Sequence, residues 1–206
     1  SATTGRETIG LDVSDRYSHI CVLDEAGKIL EESRIATQPE ALRRWFGSRP
    51  AALVALEVGT HSPWISRLLR ECGHEVVIAN PRKLRAIYEN DSKHDRVDAE
   101  YLARIARLDP KLLSPIQHRG LQAQSDMAVI RARDALVRSR TAEINHIRGS
   151  VKAFGVRVPK CSAESFVKRG ADLPEFLREI HGPVLDMISA LTAAIRPSRA
   201  RLTLFA

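Results

Sequence analysis

Polar and apolar positions alternate along Glu7–Val13 (ETIGLDV). Ile9, Leu11 and Val13 fall on one face of an extended chain, and Gly10 and Asp12 on the other, the period of two that predicts a strand. His19–Leu23 predicts a second strand and Ile29–Ile35 a third. The segment between them, Asp24-Glu25-Ala26-Gly27-Lys28, has the glycine that a short hairpin loop requires. Pro39, just after Thr37-Gln38, opens a helix that runs through Phe46 and closes at Gly47. Ala52–Glu57 is almost wholly apolar, as a strand covered on both faces would be. Ser62-Pro63 caps a helix that reaches Cys72 and stops at Gly73. Glu75–Ala79 is a fifth strand, and Pro81–Tyr88 and Asp95–Leu108 read as helices. Trp45, Phe46 and Trp64 fall on helix faces, where aromatic side chains belong to a core.

Three strands followed by strand–helix alternation imply an α/β fold, with a mixed five-stranded sheet and helices on its faces. This is the element order of the ribonuclease H-like fold. Asp109-Pro110 and Pro115 then break the chain, and Leu121–Phe154 predicts one long helix. Along it Ile130, Val137, Ile144 and Val151 recur every seven residues, with Ile147 and Phe154 three after the last two. That is a partial coiled-coil seam, interrupted by Arg133 and Arg140 at the matching positions of its first half. The seam predicts self-association through this helix, or packing against the chain's own short C-terminal helices, expected at Leu173–Ile180 and Pro183–Ile195. Arg196–Ala206 reads as an irregular tail. The expected division is therefore 1–114 for the sheet domain and 115–206 for a helical region.

Composition narrows the class. Of 206 residues, 44% are hydrophobic and 28% charged, the balance of a globular protein that buries a core. No apolar run is long enough to span a membrane, and Ser1–Gly10 shows no secretory signal. Cys21, Cys72 and Cys161 are odd in number and widely spaced, fitting reduced thiols and a cytoplasmic location. The net charge of +7 is concentrated in one place. Residues 1–114 hold 17 basic and 17 acidic side chains and residues 171–206 hold 4 of each, whereas residues 115–170 hold 11 basic and 4 acidic. The whole excess lies on the long helix and its sequel. Arg131, Arg133, Arg138, Arg140, Arg148 and Lys152 are the candidates for contact with a polyanion, nucleic acid first. By charge alone, a solvated basic helix fits almost equally well.

Four carboxylates stand out. Asp12 interrupts the apolar first strand, Glu57 ends the strand LVALE, and Asp95 and Asp98 lie one helical turn apart. Each has a plain explanation alone: a strand-edge carboxylate, a solvated strand end, acidic residues at a helix N-terminus. In the expected fold the first and fourth strands are central neighbours and the last helix crosses them, so the four converge. Converging carboxylates need a divalent cation, and an all-oxygen donor set selects Mg²⁺ or Mn²⁺. Two such ions about 4 Å apart serve in-line displacement at phosphorus. Lys93, Arg96 and Arg82-Lys83 flank the site and could meet DNA phosphates or balance the carboxylates. His61, His74, His94, His118, His146 and His181 show no metal spacing with the cysteines and read as surface or capping residues. Gly-rich phosphate loops and serine–histidine motifs are absent.

The blocks IGLDVS, LEVGTHSPW, ANPRKLR and KHDRVDAEYLARIA resemble the signature blocks of DEDD-type insertion-sequence transposases with a RuvC-like N-terminal domain, a family that includes bridge-RNA-guided recombinases. The resemblance covers about residues 8–160. It implies that Asp12, Glu57, Asp95 and Asp98 are a catalytic metal tetrad. It also implies that RARDALVRSRTAEINHIRG is the helical segment for nucleic-acid contact and dimerisation, with DNA and a guide RNA as the partners. Members of that family continue into a domain with a nucleophilic serine. Ser162 and Ser165 lie too near the helix for that role, so the resemblance implies part of a longer, metal-dependent enzyme. Two other readings share the residues: a stand-alone RuvC-like junction nuclease, and a non-catalytic dimeric nucleic-acid-binding remnant.

Overall fold

The computed structural model describes the backbone of residues 6–80 and 95–202, and the side chains of 6–80 and 98–196. Strands β1 (Thr8–Val13), β2 (Tyr17–Leu23) and β3 (Ile29–Ala36) form the meander. Its second turn is closed by Gly27 at φ +82°, a conformation that an L side chain resists. Helix α1 (Pro39–Gly47), β4 (Leu53–Glu57), α2 (Ser62–Glu71), β5 (Glu75–Ala79) and α3 (Asp95–Leu108) follow. The sheet order is β3-β2-β1-β4-β5. β2 runs antiparallel to β1 and β3, while β1, β4 and β5 are parallel. This is the ribonuclease H-like arrangement that the element order predicts. The expected helix at Pro81–Tyr88 lies outside the described residues.

Alternation along the strands divides the core in two. On one face Ile9, Leu11, Ile20, Val54 and Leu56 pack with Leu42 and Phe46 of α1 and Ile65 and Leu69 of α2. Trp45 and Trp64 rest, half-buried, on the same cluster. On the other face α3 places Leu102, Ile105 and Ala106 on Leu53, Ala55, Val77 and Ala79. It also sets Ala99 and Ala103 on Cys21 and Leu23. Each of the larger buried side chains contributes about 1.5–3 kcal/mol through removal from water. Gly10 makes the second contact possible, because a Cβ there would lie 1.8 Å from the Ala99 carbonyl oxygen. Buried His74 ties the layers together: Nδ1 accepts from the Ala52 N–H at 3.2 Å and Nε2–H donates to the Phe46 carbonyl at 3.0 Å. Past α3, the 3-10 turn Pro110–Leu113 leads the chain back to the free edge of β5. There Asn80 donates to the Leu113 carbonyl at 3.0 Å and Ile116 to that of Ile78 at 2.9 Å, covering a strand edge that would otherwise invite pairing. These bonds carry the first compact unit to His118, four residues beyond the expected division.

The second unit, Arg119–Ala206, is helical. Its long helix α4 (Leu121–Ser150) tightens into a 3-10 turn over Val151–Phe154, closed by Gly155 at φ +71°. A short α5 (Phe166–Gly170) and a long α6 (Glu175–Leu202) complete it. Ile144, Ile147 and Val151 are buried with Phe166, Leu173, Leu177 and Ile188. The second half of the predicted seam is thus filled by the chain's own helices, while Ile130 and Phe154 remain exposed. The two C-terminal helices expected from Pro183 are one. Pro183 removes a backbone donor, but Leu177, His181, Ile188 and Ile195 stay buried on both sides of it, so one continuous face outweighs the lost bond. The same helix extends through Arg196–Leu202, where an irregular tail was expected.

Candidate functional site

Strand register builds the first half of the site. β1 and β4 pair from Thr8↔Leu53 to Leu11↔Leu56, and the next step of that parallel ladder sets Asp12 beside Glu57, about 4.8 Å away across the strands. Asp12 shares its face with Gly10, and Glu57 shares its face with Leu53 and Ala55, so both lie on the face that α3 crosses. Asp12 is half-buried and Glu57 exposed. Both line one open pocket of about 290 Å³ at the ends of the parallel strands, together with Asp15, Gly59, Thr60, His61 and Ser62. Strand ends of an open α/β sheet are where ligands commonly bind.

The pocket walls are tied in place by polar groups. Thr37 Oγ1 donates to the Ser14 carbonyl and accepts from Ser18 Oγ, both at 2.8 Å, which fixes the turn after β1. Ser62, expected as a helix cap, is the first residue of α2: its Oγ accepts from the Gly59 N–H at 2.9 Å and contacts His118 Nε2 at 2.8 Å. Burial, then the charges of Arg70 and Arg67, push the His118 imidazole below its usual range. Trp64 Nε1–H donates to His61 Nδ1 at 3.1 Å. In the neutral ring the proton therefore sits on Nε2, which donates to Asp15 Oδ1 at 3.1 Å. Asp15 and the histidine pair were not recognised as site residues in the sequence. The contiguity of Glu57 with Gly59-Thr60-His61-Ser62 was the available signal.

Helix α3 carries the other two expected carboxylates. Near its C-terminus Arg104 and Arg107 donate to the carbonyls of Gly27 and Glu25, at 3.2 and 3.1 Å, in the β2–β3 turn. That turn follows Leu23, the partner of Thr8 at the start of β1. With Ala99 over Gly10, the helix runs antiparallel to β1, and its first turn, carrying Asp95 and Asp98, lies toward the end where Asp12 and Glu57 sit. Asp98 is half-buried. The side chains of Asp95 and Arg96 lie outside the described residues, as do Lys93 and His94 entirely. Among the described residues no three His, Cys, Asp or Glu side chains gather at metal-binding distance. The described geometry thus unites Asp12 with Glu57 and brings the first turn of α3 to the same end of the sheet.

The six basic candidates of the helical unit separate by exposure. Arg131, Arg138 and Lys152 are exposed and Arg133 half-buried. Arg148 packs over the Phe166 ring, 5.4 Å from its centroid, with Nη2 3.7 Å from Cys161 Sγ. Arg140 is a correction. Only 7% exposed, it reaches Glu164 Oε1 and Thr192 Oγ1, each at 3.4 Å, and joins α4 to α6 instead of facing a phosphate.

A family model of transposases, of the IS110 DEDD type, matches residues 9–155. Over 148 residues, 72% of the chain, the sequence is 31% identical to a probable family 20 transposase of Pseudomonas aeruginosa. It is 28% identical over 168 residues, 81% of the chain, to the transposase for insertion sequence element IS1328 of Yersinia enterocolitica. The matches cover 42% and 48% of those two proteins, so the chain spans less than half of either. The structure of RuvC from Thermus thermophilus aligns with 50% of this chain and 96% of its own, at 17% identity and a TM-score of 0.32. Among the described residues no helix is long and apolar enough to cross a membrane. With the family match running from the first strand through the end of α4, the chain belongs to the IS110-type DEDD transposases.

Proposed function

We propose that Asp12, Glu57, Asp95 and Asp98 hold a divalent cation, Mg²⁺ or Mn²⁺, for DNA strand cleavage in the transposition of an insertion sequence. The observation that carries this reading is the register of β1 on β4, which places two carboxylates side by side in one pocket, at the end of the sheet to which α3 brings its acidic first turn. The donor set is all oxygen, which suits a hard cation and does not suit zinc. When bound, the ion would polarise a phosphodiester oxygen and lower the pKa of bound water. The protein's own part is to fix the donors on rigid strands and to hold the turn after β1 through Thr37 and Ser18.

In the same reading the helical unit binds the DNA backbone through Arg131, Arg133, Arg138 and Lys152, with Arg148 contributing from the packed side. A guide RNA is a second partner for this unit, two copies associate through the first half of α4, and the protein acts in the cytoplasm. Lys93 and Arg96 adjoin the acidic block and serve the DNA near the metal. The test is calorimetric titration of Mg²⁺ and Mn²⁺ into the wild type and Asp12→Asn. The reading predicts binding that weakens at least tenfold in the variant; equal binding would reject the metal site.

A further inference from the structure

The register that joins Asp12 to Glu57 continues across the other side of β1. Asp12 pairs with His19 on β2, and His19 pairs with Arg34 on the edge strand β3. Cross-strand partners share a face, so Arg34, His19, Asp12 and Glu57 form one row perpendicular to the strands. The contacts of α3 on β2 involve Cys21 and Leu23, the two positions on that face that follow His19 in the chain. His19 is half-buried, and Arg34 and Tyr17 are exposed. The Arg34 guanidinium stands 4.5 Å from the centroid of the Tyr17 ring. A guanidinium held against an aromatic ring keeps the planar fork of N–H groups that can meet phosphate oxygens in pairs.

We propose that Tyr17 and Arg34, with His19 between them and the carboxylates, are a binding track for a single DNA strand leading to Asp12 and Glu57. This deepens the proposed function and rests on it for the location of the reacting phosphate. Arg34 stands two strands from Asp12, about 10 Å away, so it reaches a phosphate one or two nucleotides from the one at the carboxylates. A row of carboxylates repels DNA except through a bound cation, whereas this end of the row offers the permanent positive charge of Arg34 beside an aromatic ring, with exposed Glu32 two residues along the same face of β3. An aromatic ring beside an arginine suits unpaired bases, which stack whatever their identity.

The test uses the full chain, Mg²⁺ and a single-stranded DNA 20-mer carrying 5-iodouracil, irradiated and mapped by mass spectrometry. The track predicts a crosslink at Tyr17 and about tenfold weaker binding in Tyr17→Ala/Arg34→Ala, with Arg34→Lys intermediate because it keeps charge but loses the planar fork. Both positions are exposed, and an unchanged circular dichroism melt confirms that the double variant folds. Crosslinks confined to residues 119–202 with unchanged affinity in the variant would overturn the track, as would a Tyr17 crosslink formed by an RNA 20-mer and not by DNA. Titration of Mg²⁺ separates the two claims. A Tyr17 crosslink with Mg²⁺ binding indifferent to Asp12→Asn rejects the metal centre and keeps the track; the reverse pair of results rejects the track alone.

Discussion

Gly10 is the position at which a single methyl group would do most damage to the sheet unit. Its absent side chain lets the Ala99 backbone lie directly on β1, and that contact sets how far the acidic turn of α3 stands from Asp12. Gly10→Ala must push backbone away from backbone, so a loss of about 3 kcal/mol is expected. Urea denaturation measures it, and a loss below about 0.5 kcal/mol would contradict the close packing. Cys21, opposite Gly10 in the β1–β2 ladder, reports on the same layer. Burial, reinforced by the carboxylates of Glu100 and Glu32, pushes its thiol up to about 11. The folded state therefore holds this proton more tightly than the unfolded chain. Its stabilising effect is full below the ordinary thiol range near 9 and is lost as pH rises toward 11. At pH 8 a thiol reagent should label Cys72 and Cys161, both half-exposed, well before Cys21. Equal labelling rates would show that α3 does not seal this layer.

At the scale of elements, the alternation of ETIGLDV and the apolar run ending in Glu57 were enough to locate β1, β4 and the two carboxylates they carry. Their adjacency was legible only through the expected fold, because register is a property of the pair. Helix α4 was legible as a helix but not in its facing. Apolar and basic residues are mixed around it, so nothing in the spacing distinguished Arg140, which α6 buries, from Arg138, which it leaves exposed. Pro183 misled for a related reason: a local breaker is overridden when a buried face continues on both sides of it. Arg131 and Arg138 are exposed seven residues apart on one stripe of α4. Changing both to Ala should flatten the log–log salt dependence of duplex DNA binding by about 2. Arg140→Ala should leave that slope alone and cost about 1–3 kcal/mol of stability by breaking a buried, charged link. An unchanged slope in the double variant would make the basic segment a solvated surface.

For the whole molecule, the sheet unit carries the carboxylates and the helical unit carries the excess positive charge. In the proposed function the seam of α4 would tie these roles to assembly. Ile144 and Val151 are satisfied within the chain, whereas Val129 and Ile130 are each 36% exposed and Leu121 is 62% exposed. Of the residues that recur every seven along α4, the one left exposed for a second copy is therefore Ile130, in the first half of the helix. Sedimentation should show a dimer that Ile130→Lys dissociates; a wild-type monomer at high concentration would assign that half of the helix to another partner.

The convergence of Asp12, Glu57, Asp95 and Asp98 on one ion is the centre of the proposed function, and anomalous diffraction from crystals grown with Mn²⁺ tests it most directly. The predicted result is a manganese peak within about 2.5 Å of oxygens from Asp12 and Glu57, with an oxygen of the first turn of α3 in the same coordination shell. Saturating Mn²⁺ with no peak at the ends of β1 and β4, or with its peak elsewhere on the molecule, would contradict the account.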